Sequence, residues 1–113
     1  MKIYGIKNCD TFRKAVKFFT SHNINHETVD FRETPVGCDT IDRWLNHLPV
    51  DTLFNTRGTT YRTLKLKEMG LDESGKRTWL CKENMLIKRP VVETDDGDVI
   101  VGYNETLYKE RFL

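Results

Sequence analysis

No two of the three cysteines in this chain, Cys9, Cys38 and Cys81, form a C-x-x-C pair. That absence excludes a zinc ribbon and a local two-cysteine redox motif. No apolar run approaches the roughly 20 residues of a membrane span. The start, Met1-Lys2-Ile3-Tyr4-Gly5-Ile6, is too short and too soon polar for a signal peptide. An excess of one charge is missing too: 18 basic against 17 acidic residues leave +1. Such a balance gives no electrostatic grip on nucleic acid or a membrane surface. His22, His26 and His47 are too scattered for a metal motif, and Asp95, Asp96 and Asp98 fit a hairpin turn better than a calcium loop. The expectation is a soluble, cytoplasmic, monomeric protein with one modest core, no bound cofactor or metal, and thiols kept reduced.

What is present begins with periodicity. Lys2 to Ile6 reads as a strand, and Asp10 to His22 as a helix with Phe12, Ala15, Val16 and Phe19 on one face. Asn23-Ile24-Asn25 suits a helix stop, and His26 to Phe31 alternates as a second strand. Together these have the length of a βαβ unit. Asp39 to Leu48 reads as a helix ended by Pro49. Val50 to Trp79 reads as short helical pieces broken by Gly58, Gly70 and Gly75, and Thr78 to Met85 as one more helix. After Pro90 an apolar β-branched run, an Asp95-Asp96-Gly97-Asp98 turn and Val99-Ile100-Val101 spell a hairpin. Asn104 then caps a last helix to about Arg111. The order β-α-β, helices, β-β, α is that of an α/β, thioredoxin-like fold whose first helix carries the reactive thiol.

Cys9 sits at the start of that helix. Unpaired backbone N–H groups and the positive end of the helix dipole favour thiolate over thiol there. Lys7 and Arg13 add positive field and Asp10 opposes it, so the sequence leaves two readings open: a reactive thiolate, or a small buried apolar side chain. A thiol acting on an anion or a glutathione mixed disulfide also needs cationic donors and a backbone edge. Arg13, Arg57 and Arg89 are candidates for the donors, each with a solvated surface charge as its alternative, and Pro90 for the edge. Cys38, after Pro35-Val36-Gly37, reads as an exposed loop thiol with either a resolving role or none.

Three blocks carry a resemblance: Gly5-Ile6-Lys7-Asn8-Cys9-Asp10-Thr11, Asn55-Thr56-Arg57-Gly58-Thr59-Thr60 and Ile87-Lys88-Arg89-Pro90. In order and spacing they resemble the ArsC/Spx family, most closely its YffB-type branch of small thiol reductases, over nearly the whole chain. The resemblance implies a thioredoxin-like core spanning 1–113 with an inserted helical segment at about 39–85. It implies that Cys9 is the redox nucleophile, that Arg89 stands beside it before a cis Pro90, and that Arg57 and Arg13 face the same cleft with Lys7 and Asn8.

Two departures from the family pattern narrow the function. Arsenate reductases of the family carry a third anion-binding arginine, and counting from Arg89-Pro90 puts Gly102 in its place. Spx-type regulators often carry a second cysteine three residues after the first, where this chain has Phe12. The resemblance therefore implies an oxidoreductase whose Cys9 mixed disulfide is resolved by glutathione as co-substrate, with glutaredoxin as a further partner. The alternatives are a regulator that binds RNA polymerase or another protein, and an arsenate reductase with a weakened anion site.

Overall fold

Residues Ile3, Phe12, Ala15, Phe18, Phe19, Val92 and Tyr108 form one buried cluster, and the elements that carry them define the first of two compact units. The computed structural model describes residues 1–113, divided into Met1–Glu33 with Arg89–Leu113, and Thr34–Lys88.

The first unit is a four-stranded sheet with two helices. Strand β1 (Lys2–Gly5) leads through α1 (Asp10–Ser21) to β2 (Glu27–Asp30); β3 (Val91–Glu93) and β4 (Val99–Val101) form the hairpin. The sheet order is β2-β1-β3-β4, with β1 parallel to β2 and antiparallel to β3. This is the thioredoxin-like α/β arrangement expected from the element order. Helix α1 buries Phe12, Ala15, Phe18 and Phe19, a 3-3-1 spacing that makes one face. Val16, expected in that face, lies at its half-buried margin, and Phe18 takes the place inside. The helix ends where Asn23 adopts the left-handed conformation (φ 56°), a position Asn tolerates, and Ile24 N–H returns to Phe19 O at 2.9 Å. The last helix, which we label α6 (Glu105–Phe112), starts where Asn104 accepts the N–H of Leu107 at 3.0 Å and buries Tyr108.

The second unit, Thr34–Lys88, holds the remaining helices: α2 (Cys38–Leu45), α3 (Val50–Leu53), α4 (Thr59–Thr63) and α5 (Glu73–Lys82), with 3-10 turns at Leu66–Met69 and Asn84–Leu86. Two expectations fail here. Gly75 does not break a helix, because it sits in the first turn of α5, where the Asp72 side chain accepts its N–H at 2.7 Å. A glycine held by an N-cap lies where helical propensity matters least. One helix accordingly runs through Gly75 to Lys82, where the sequence suggested a break and a separate helix over Thr78–Met85.

The second failure concerns the thiols. Cys38 and Cys81 are not separate thiols but a disulfide, with Cα atoms 4.9 Å apart across 43 positions of sequence. Cys38 is the first residue of α2, not a loop residue. The two helices lie in matched register. One turn along from the disulfide, Arg77 donates to both carboxylate oxygens of Asp42, at 2.8 and 2.7 Å. That pairing draws the Asp42 carboxyl below its usual range. On the other side the buried Asn84 side chain accepts from Val36 N–H (2.6 Å) and donates to Val36 O (3.0 Å) and Leu80 O (3.1 Å).

Candidate active site

The site is built on the end of β1. The strand stops at Gly5, and the chain turns tightly enough for Cys9 N–H to donate to Ile6 O at 3.1 Å. Cys9 is the N-cap of α1 in an extended conformation (φ −95°, ψ 121°), and its carbonyl accepts the N–H of Arg13 at 3.0 Å. Its side chain makes no capping hydrogen bond. The thiol is thus left available at a helix N-terminus, half-buried against the cluster of Ile3 and Phe12. Gly5 allows this approach: a Cβ there would stand 2.2 Å from Cδ1 of Phe12. The position that would hold the second cysteine of a C-x-x-C switch is filled by the ring that docks α1 onto β1.

The loop before Cys9 is pinned by a residue that sequence reasoning missed. Asp30, the last residue of β2, accepts Lys7 N–H at 3.0 Å and Arg32 N–H at 2.8 Å through its side chain. Burial alone would raise its carboxyl, but the backbone donors of Arg32, Lys7 and Glu33 outweigh this and hold it below the usual range. Its place at the end of β2, directly before the Phe31 that turns inward, gave no signal of its own.

Arg13, exposed on α1, donates to Asp10 and reaches back to Lys7 O at 3.5 Å, so it spans the turn that presents Cys9. The Lys7 ammonium is held by Glu33 at 2.6 Å, and this hydrogen bond raises its titration above the ordinary lysine value. Asn8 accepts from Arg32 at 3.3 Å. Lys7 and Asn8 thus act first on their own loop.

The β1–β3 register pairs Tyr4 with Val91, so Arg89 and Pro90 reach the end of β1 from which the Cys9 loop departs. The Arg89-Pro90 bond is cis, Arg89 is half-buried and Pro90 buried. Pro90 O accepts Gly102 N–H at 2.8 Å, and Gly102 O in turn accepts from Tyr108 Oη at 2.6 Å. Burial, reinforced by Tyr103, pushes the Tyr108 hydroxyl well above the usual tyrosine range and keeps it a donor. Gly102 has φ +88°, a conformation that suits glycine and strains any other residue. The place counted for a third arginine is therefore a glycine turn. Arg57 belongs to the second unit, exposed in the loop before α4; its N–H donates to Asn55 Oδ1 (3.0 Å) and its carbonyl accepts from Arg62 (2.9 Å).

A groove of about 410 Å³ runs along α1 over an apolar floor of Phe12 and Val16, with Lys7, Arg13 and Lys17 among its borders. A smaller depression around Met1, His26 and Asp95 is lined from the opposite end of β1.

These features agree with the comparisons. The ArsC family model matches residues 4–111. The chain belongs to the ArsC family. An uncharacterised protein of Haemophilus influenzae is 36% identical over 97% of this chain and 96% of its own. The solved YffB protein superposes with a TM-score of 0.88 at 27% identity, covering 99% of this chain and 98% of that one. An arsenate reductase-related protein from Brucella melitensis has 35% identity and a TM-score of 0.76, covering 98% and 92%. The ArsC fold here is therefore that of the arsenate reductase-like proteins. No helix of this ArsC-family chain is long and apolar enough to cross a membrane.

Proposed function

We propose that this ArsC-family protein is a cytoplasmic thiol oxidoreductase that uses glutathione as its resolving thiol. The observation that carries the reading is the state of the three cysteines. Cys9 is free at the N-cap of α1, while Cys38 and Cys81 are closed on each other. Open or closed, Cys38 and Cys81 stand opposite each other and pair with each other, so the reaction of Cys9 is finished by an external thiol.

In this reading the Cys9 thiolate attacks the glutathionyl sulfur of a mixed disulfide. The bond to the substrate sulfur breaks, the substrate leaves as thiolate and takes up a proton, and Cys9 carries glutathione. A second glutathione thiolate attacks the glutathionyl sulfur, forms glutathione disulfide and returns Cys9 as thiolate. Arg89 is the anion partner at the end of the sheet, and Arg13, Lys7 and Asn8 hold the turn that presents the sulfur. Pro90 completes the set in this unit, and Arg57, in the second unit, is a candidate on the resemblance alone.

The test is turnover of a glutathione mixed disulfide with reduced glutathione. The wild type turns over and Cys9→Ser does not, with unchanged circular dichroism. Equal rates for the two proteins would overturn the proposal.

A further inference from the structure

We propose that Cys38 and Cys81 form a second thiol–disulfide exchange site, in the helical unit, that is opened and closed reversibly by small-molecule thiols and disulfides of the glutathione class.

Contacts outside the bond keep the two sulfurs opposite each other when it is open. Asp42 and Arg77 are one helical turn from Cys38 and Cys81 respectively, and their two-pronged ion pair locks the same register of α2 against α5. On the other side the buried Asn84 side chain binds both polar groups of Val36 and the carbonyl of Leu80, each within two residues of a cysteine. Ile41, Trp44 and Leu80 are fully buried along the same helices. The disulfide is thus bracketed by contacts that do not depend on it. The open pair retains its juxtaposition, and closure needs only rotation of the cysteine side chains. Both cysteines are half-buried, so an external sulfur has a path to them.

The helix ends order the steps. Cys38 is the first residue of the eight-residue α2, whose N-cap, Gly37, offers no capping side chain, and Cys81 lies in the last turn of α5. The dipoles favour thiolate at Cys38 and thiol at Cys81. The charges that work against this order are weak ones: Asp39 is exposed, and Lys82 is exposed and drawn over the Trp79 ring. The Cys38 thiolate attacks a small disulfide, RSSR; one R–S⁻ leaves and a Cys38–S–S–R bond forms. Cys81 then loses its proton to solvent and attacks the Cys38 sulfur, releasing the second R–S⁻. Two protein thiols are oxidised, and one disulfide is reduced to two thiols. The ratio of the two forms sets the direction: excess reduced glutathione opens the bond and glutathione disulfide closes it.

The full chain is equilibrated over a series of reduced-to-oxidised glutathione ratios, quenched with N-ethylmaleimide and mapped by peptide mass spectrometry. The expected result is one concerted transition: both peptides lose alkylation together and appear as a single cross-linked species, and excess reduced glutathione restores them. Cys9 is read separately in the same spectra, so its behaviour cannot be mistaken for that of the pair. In Cys81→Ser, a glutathione adduct accumulates on Cys38. A bond that resists reduction at every ratio, thiols that stay alkylated at the most oxidising ratio, or independent adducts on the two cysteines in the wild type would each overturn the proposal. The wild-type arm decides the matter even if the serine variant fails to fold.

Discussion

The ring of Phe12 lies so close to Gly5 that a Cβ at residue 5 would stand 2.2 Å from its Cδ1. This contact seats the first turn of α1, and with it Cys9, on the end of β1. We therefore expect Gly5→Ala to cost about 1–3 kcal/mol, the usual penalty for overpacking a filled core. Thermal melts read that loss. Iodoacetamide kinetics on the Cys9 peptide should change in the same variant, whereas an unchanged melting temperature would remove Gly5 from the account.

Arg89 is expected to act on the anionic partner more than on the thiol itself. A charge-assisted hydrogen bond contributes roughly 1.5–3 kcal/mol. Arg89→Ala should therefore slow the reaction of Cys9 with glutathione disulfide by about tenfold or more, and slow a neutral alkylating agent much less. Stopped-flow rates with both reagents make the comparison. Equal slowing would mean that Arg89 tunes the thiol instead.

Arsenate should be a poor ligand. By the count from Arg89-Pro90, Gly102 stands where the resemblance puts a third arginine, and the φ of +88° there means that Gly102→Arg strains the turn instead of completing an anion site. A left-handed non-glycine residue costs roughly 1–2 kcal/mol. Calorimetric titration should show weak arsenate binding in the wild type and no gain in the variant, which should also melt at lower temperature. Tight binding by either protein would contradict this reading.

The Asp30 side chain sets a pH dependence. Its folded-state value lies below the ordinary 3.8, because backbone N–H donors outweigh the effect of burial. A carboxyl lowered on folding stabilises the native loop above its unfolded value. That contribution is lost as pH falls through the folded value. Amide exchange at Lys7 and Arg32 should therefore accelerate below about pH 4, beyond the intrinsic trend. Asp30→Asn should abolish that step, and its persistence in the variant would assign it elsewhere.

The first unit was largely legible because its elements follow local rules: the helical spacing of Phe12, Ala15 and Phe19, the alternation of β2, and the cap at Asn104. Cys9 was legible as the junction of strand and helix. The Cys38–Cys81 bond was not, since pairing across 43 positions leaves no mark in spacing. Asp30 was missed for a similar reason: its hydrogen bond to Lys7 joins residues that only the β1–β2 register brings together. Gly75 misled because its effect depends on whether it falls in the first turn or the middle of a helix.

Cys9 as redox nucleophile is decided by exposing the protein to glutathione disulfide at neutral pH and mapping the product by mass spectrometry over time. One glutathione is expected on the Cys9 peptide, removed by excess reduced glutathione and absent from Cys9→Ser. A Cys9 that stays unmodified, or an adduct that persists in Cys9→Ser at the wild-type rate, would contradict it.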